Sequence, residues 1–351
     1  MFQKKTLIVV GAGASKEADL PVGSELTVRI ANLLDVRHQD AKQTRGDTVL
    51  LAAIEEAVRR VDRSDGDIGT YVQACQRISS AMPQAMSIDS FMDAHRGDAS
   101  LELCGKLAIV RAILQAERKS HLFFDGIRFP VAKMLERLKE SWFNAFMQLL
   151  SENCRVGELA ERLEWLSMIV FNYDRCIEHF LVNAIQNYYA IDTDQAEELV
   201  RSIEIYHPYG TVGALPWYAE EHAIAFGADP SAHQLLDLAS QIKTFTEGTD
   251  PGSSDIGEIR KRVAEAQILL FLGFAFHRQN LDLIRPKTPP INRSREASCF
   301  ATAVGISSSD CDLIAREVAR ILNIPMSHIA FRPDLDCAGL FREFWRSLAL
   351  S

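Results

Sequence analysis

Apolar residues along the chain follow two rhythms. The first is a set of short unbroken runs. Thr6 to Val10 is β-branched and apolar and stops at Gly11-Ala12-Gly13-Ala14-Ser15, which predicts a buried strand entering a tight glycine turn. Similar runs recur at Leu166 to Phe171, Ile203 to Tyr206, Ile268 to Leu272 and Cys299 to Val304. The second rhythm is helical, with apolar residues three and four apart. It fills most intervals between the runs and dominates from about Asp47 to Asn153, through Val49 to Val61, Leu101 to Ala116 and Val131 to Leu150, where no strand is predicted. Strands alternating with helices predict an α/β fold on a doubly wound parallel sheet of Rossmann-like type. The helical block then reads as a large insertion or cap, so that 1–46 and 154–351 form one Rossmann-type domain interrupted by 47–153.

Punctuation refines this outline. After Pro21 and Gly23, Ser24 is placed to cap an amphipathic helix running through Leu33 and Leu34. The stretches Gly248 to Gly257 and Pro286 to Arg295 have loop composition. Near the end, Leu340, Phe341, Phe344 and Trp345 within Ala338 to Leu348 recur at helical spacing, predicting a core-facing helix, with an interface as the alternative.

Composition narrows the class. At 47% hydrophobic and 24% charged residues over 351 positions, the chain has the make-up of a soluble globular protein. No stretch approaches the roughly 20 apolar residues of a membrane helix, and Leu7 to Val10 is too short for a signal peptide, so a cytoplasmic location is expected. Seven scattered cysteines without a CxxC pair give no sign of a disulfide framework or a structural zinc site and are expected to be mostly buried thiols. A net charge of −9 argues against an extended nucleic-acid surface, which needs concentrated positive charge.

Four segments offer chemistry, each with a plain structural alternative. Gly11 and Gly13 follow a predicted strand, where glycines let the backbone approach a pyrophosphate; a simple strand-to-helix turn needs them equally. A third glycine three residues on is absent, which weakens a hydride-transferring dehydrogenase reading. Asn172-Tyr173-Asp174 stands where a strand stops and a helix begins near Arg175, either in a site or as a helix cap. His207, in Tyr206-His207-Pro208-Tyr209-Gly210, follows a β-like run and suits a general base near neutral pH, or is a structural or solvated loop histidine. Gly273 to Asn280 follows the strongest apolar run and reads as a nucleotide-covering loop, or as a turn into a helix capped near Asn280 with His277 exposed.

Taken together and in this order, these segments resemble the sirtuin-like family, in particular its bacterial SIR2-like branch of NAD-degrading antiphage defence proteins. Gly11, Ala12, Gly13 and Ser15 match its GAGxS phosphate turn, Asn172 and Asp174 its Asn-x-Asp motif, and His207 with Gly210 its catalytic histidine and nearby glycine. Gly273 and Asn280 resemble the late nucleotide-contacting loop, and Ser87-Ile88-Asp89-Ser90-Phe91 looks like a recurrent pattern of these proteins without an assigned role. The chain departs from sirtuin deacetylases in lacking the Asp-Phe-Arg cofactor loop and the zinc-binding cysteine pairs. The resemblance therefore implies a helical insertion in place of the zinc module and NAD as substrate with no zinc.

What the resemblance implies is hydrolysis of NAD+ to ADP-ribose and nicotinamide, with Asn172 holding the ribose and orienting water, Asp174 contacting the carboxamide and His207 as general base. Gly11, Ala12, Gly13, Ser15, Gly210, Gly273 and Asn280 would bind the nucleotide. Such an activity endangers its own cell, so gating by homo-oligomerisation or by a partner ATPase, nuclease or Argonaute-type protein is expected, in an antiviral setting. The alternatives are a non-catalytic NAD-sensing module and an NAD-dependent deacylase or ADP-ribosyl transferase.

Overall fold

The computed structural model describes residues 4–39, 42–61, 68–126, 130–250, 255–287 and 297–349. Its strands are β1 (Thr6–Val10), β2 (Arg37–Gln39), β3 (Lys42–Arg45), β4 (Leu166–Val170), β5 (Glu204–Tyr206), β6 (Ile268–Leu272), β7 (Ser298–Thr302) and β8 (Ile329–Arg332). Strands β2 and β3 form a separate antiparallel hairpin. The other six make one parallel sheet in the order β5-β4-β1-β6-β7-β8. Counted along the chain, these six lie 3-2-1-4-5-6, the doubly wound order of dinucleotide-binding sheets. Strand β1 is central, with Thr6 level with Leu166 of β4 on one side and Ile268 of β6 on the other. The chain builds outward through β4 and β5, then crosses back over β1 to start β6, which places a switch point between β1 and β6.

The central strands are apolar throughout because both sheet faces are covered. Leu7 and Val9 of β1 join Ile169, Leu269 and Phe271 in one core, and Ile8 and Val10 join Met168, Val170, Leu270 and Leu272 in the other. The first core takes Ile30 from the helix Gly23–Leu34, Ile54 from Thr48–Val61, Ile78 from Ile68–Ala81 and Leu107 from Ala99–Lys119. The second takes Trp142, Phe143 and Phe146 from Trp142–Ser151, Phe180 from Cys176–Tyr189 and Phe341 from Cys337–Glu343. The helices between β1 and β4 therefore pack on both sheet faces and share both cores with the strands.

Several expectations shift. Strand β8 and the β2–β3 hairpin have no counterpart in the sequence reading, and the predicted strand Cys299 to Val304 runs Ser298–Thr302. Ser24 lies inside its helix rather than capping it. The cap is Val22, whose N–H donates to Glu25 Oε2 at 3.1 Å, so the first turn closes through the glutamate. Gly248 and Gly257 fall within the helices Phe245–Thr249 and Ile256–Glu265 rather than in a loop, while 251–254 and 288–295 lie outside the described residues. The C-terminal segment forms the helices Cys337–Glu343 and Trp345–Ala349 and is core-facing as expected, with Leu340 and Phe341 fully buried. Six cysteines are buried and Cys154 is partly exposed. Among the described residues no helix is long and apolar enough to cross a membrane.

Candidate functional site

The site starts where β1 and β6 end side by side. Gly11 N donates to Leu272 O at 2.9 Å and Gly13 N to Gly273 O at 3.0 Å, so the two strand-end loops are bonded backbone to backbone. A Cβ at Gly11 would stand 2.6 Å from Gly273 O, and one at Gly13 2.8 Å from Gly273 Cα. Gly273 also has φ +56°, in the region that favours glycine. Contact between the two loops thus demands all three glycines, and Gly13 spends its amide inside the protein.

Beside this turn, β4 delivers Asn172, Tyr173 and Asp174. Asn172 Nδ2 donates to Gly11 O at 3.1 Å and to Ser15 Oγ at 2.8 Å, which ties the Asn-x-Asp segment to the glycine turn. Asp174 accepts from Cys176 N at 3.1 Å, so it also satisfies the first amide of the helix that Arg175 caps. Burial raises its pKa, opposed by its bonds to Cys176 and Ser15. Next in sequence, Arg175 makes a fully buried ion pair with Glu117 of the helix Ala99–Lys119, at 3.1 Å from Nε and 2.5 Å from Nη2. Glu117 accepts as well from Gly227 N at 2.9 Å, and Arg175 donates to Ile224 O at 2.6 Å. This charge-paired joint ties the residue after the Asn-x-Asp segment to the helix Ala99–Lys119 and to the 224–227 stretch.

A cavity of about 690 Å³ opens over these strand ends. Gly11, Ala12 and Gly13 line it from β1, Asn172, Tyr173 and Asp174 from β4, and Gly273, His277 and Asn280 from β6. The helix Ile88–Ala94 supplies another wall. Ser87 caps it by accepting from Ser90 N at 3.1 Å, and Asp89 on its first turn takes a hydrogen bond from the Tyr173 hydroxyl. One turn on, Asp93 accepts from Gln279 Nε2 at 3.1 Å, and Tyr209 donates to Asn280 Oδ1 at 2.6 Å. Glu17, also on the wall, accepts from Trp142 N at 2.7 Å and Ala338 N at 3.0 Å. Lys16 is paired with Glu25 at 2.7 Å, and the exposed side chains of Met86 and Val304 border the opening.

His207 and Gly210 are not on the cavity wall. His207 Nε2 lies 2.7 Å from Glu178 Oε1, and Nδ1 lies 3.4 Å from Asn172 O, so an imidazolium satisfies both contacts as donor. Burial opposes that charge, but the Glu178 carboxylate and the two hydrogen bonds outweigh it and raise the pKa. Among the described residues, Glu178 Oε2 is buried without a hydrogen-bond partner. Gly210 serves a turn: at φ +72° a Cβ would meet Gln241 O at 1.8 Å.

Of the sequence-predicted residues, then, Gly11, Ala12, Gly13, Asn172, Asp174, Gly273 and Asn280 meet in one cavity, Ser15 stands behind Asn172, and His207 reaches the site only through the Asn172 backbone. Sequence reasoning gave no role to Asp89, Tyr173, Tyr209 or Glu17. The one signal for Asp89 was its place in the Ser87-Ile88-Asp89-Ser90-Phe91 segment, which looks like a recurrent pattern of SIR2-like proteins. Compared with family models, curated proteins and solved structures, the chain matches none.

Proposed function

We propose that this chain binds NAD+ in the cavity between the β1 and β6 loops and hydrolyses the bond between nicotinamide and ribose. The observation that carries the proposal is the position of the cavity, at the switch point of a 3-2-1-4-5-6 parallel sheet, where such sheets bind dinucleotides. Its volume of about 690 Å³ is that of a small-molecule site. Resemblance of the Gly11 to Ser15 turn and the Asn172 to Asp174 segment to SIR2-like NAD hydrolases supports this choice of ligand and reaction.

Breaking the glycosidic bond develops positive charge on the ribose, which fixed carboxylates and amide dipoles stabilise. Asn172 and Asp174 line the cavity together with Asp89 and Glu17, so three carboxyl groups and an amide stand on its wall. Asn172 would orient the ribose and the attacking water, and Asp174 the carboxamide. His207 would act by holding the Asn172 backbone rather than by touching substrate, since both its ring nitrogens are engaged. The helices between β1 and β4 would take the place of the sirtuin zinc module, and the cellular role would be that of a cytoplasmic antiviral effector depleting NAD, gated by self-association or a partner.

A second reading, an NAD-sensing module, is favoured by the same placement of His207, which leaves no histidine from that loop on the wall. Incubation of the purified protein with NAD+, following nicotinamide and ADP-ribose by chromatography and binding by calorimetry, separates the two. Release of both products supports the hydrolase, binding without products the module, and neither binding nor products removes both.

A further inference from the structure

Asp89 is a carboxylate on the cavity wall to which the mechanism above gives no part in proton transfer. It comes from the helix Ile88–Ala94, in the segment between β1 and β4, and meets the Asn-x-Asp loop of β4 through the Tyr173 hydroxyl. Asp174, the acid of that loop, already accepts from Cys176 N and bonds Ser15. Asp89 by contrast is partly accessible from the cavity. The ionisable groups that act on it are Tyr173 of the β4 loop and His277 of the β6 loop, and it shares Tyr209 with Asp93.

Resting on the hydrolase reading above, we infer that Asp89 is the catalytic base that takes the proton of the attacking water, held in place by Tyr173. The C1′–N bond breaks with its electron pair moving onto the nicotinamide nitrogen, which discharges the pyridinium ring. The water oxygen bonds C1′, its proton passes to the Asp89 carboxylate and on to solvent, and ADP-ribose and neutral nicotinamide leave. Two features make Asp89 suited to this step. It lines the cavity that contains Asn172, and the phenol hydrogen bond to Oδ1 fixes its orientation; burial raises its pKa above the ordinary carboxylate value, as suits a base, and that hydrogen bond opposes the rise. Tyr173, the central residue of Asn172-Tyr173-Asp174, is thereby a positioning residue: the same loop that presents Asn172 aims the base.

The test compares wild type, Asp89→Asn and Tyr173→Phe in NAD+ binding by calorimetry, nicotinamide release across pH, and thermal unfolding. Asp89→Asn is expected to bind NAD+ within a few-fold of wild type and to lose about 10²- to 10⁴-fold in turnover, the usual contribution of a positioned base. Tyr173→Phe keeps the carboxylate and is expected to lose much less at high pH, with the acid limb of its rate profile moved upward because the carboxylate has lost a donor. Formate added to Asp89→Ala is expected to restore part of the rate. Equal losses in Asp89→Asn and Tyr173→Phe with no movement of the acid limb would reduce Asp89 to a structural tie and overturn the assignment. Full activity of Asp89→Asn would overturn it while leaving the hydrolase reading standing. No nicotinamide release by wild type would overturn that reading, and this assignment with it.

Discussion

Gly273 is packed backbone to backbone against Gly13: a side-chain carbon built on Gly273 falls 2.2 Å from the Gly13 carbonyl carbon and 2.0 Å from the Ala14 nitrogen. Neither loop can give way without breaking the Gly13 N to Gly273 O bond. Replacing Gly273 by Ala is therefore expected to destabilise the fold by about 2 kcal/mol or more, from overpacking together with a left-handed backbone. Urea unfolding measures this, and a change within about 0.5 kcal/mol, as for an ordinary surface substitution, would refute the close approach.

Asn172 bridges the glycine turn to the Asn-x-Asp loop through Gly11 O and Ser15 Oγ. Asn172→Ala is thus expected to affect more than activity: it leaves buried acceptors without their donor, at about 1–3 kcal/mol. Unfolding and nicotinamide release measured on the same preparation check this. Loss of turnover at unchanged stability would show that the bridge contributes nothing to folding.

The Arg175–Glu117 pair is buried at both ends, so removing one partner strands a charge. Arg175→Met is expected to cost about 3–5 kcal/mol. Adding Glu117→Leu should recover part of that loss, giving a coupling of about 0.5–3 kcal/mol in a double-mutant cycle. Strict additivity of the two single losses would contradict a shared joint.

Two histidines near the site carry opposite pH signatures. His207 has its pKa raised above the ordinary value of 6.5, so its contribution is full below about pH 6.5 and is lost as pH rises through the folded value. The stability gap between wild type and His207→Gln should accordingly shrink from about pH 6 to pH 9. His179, stacked on Phe226 at 4.1 Å, is held down to about 3 by burial and by the Arg175 charge. Its contribution is present above about pH 6.5 and drains away as pH falls toward 3, so wild type should lose ground to His179→Phe over that range. Denaturation series at fixed ionic strength test both slopes, and a slope of the reverse sign for either histidine would refute its assignment.

The sequence reading reached the middle of the sheet and faded toward its margins. Strands β1 and β6 have the bounds predicted for them because parallel strands buried on both faces leave no polar position to blur the run. Strand β8 is four residues long, lies at the sheet edge and is half-buried at every position, so Ile329-Ala330-Phe331-Arg332 has nothing to separate it from a loop. The hairpin Arg37–Gln39 and Lys42–Arg45 consists of polar residues and carries no alternation of apolar ones. In the site, the glycines and Asn172 were legible because they sit at strand ends. The direction of His207 was not, since it is decided by Glu178, 29 residues earlier, and the Arg175–Glu117 joint spans 58 residues. Asp89 was legible only as part of the Ser87 to Phe91 pattern and without a role, because only the packing of its helix brings it to Tyr173.

Glu17 gives the cavity a reach beyond its own walls. One carboxylate oxygen holds the first amide of the helix Trp142–Ser151 and the other holds Ala338 N in the helix Cys337–Glu343. Three pieces of chain more than 100 residues apart are thus pinned on one side chain, two turns of sequence after the strand that starts the fold. Loss of this one side chain would therefore leave both helix starts without their acceptor at once.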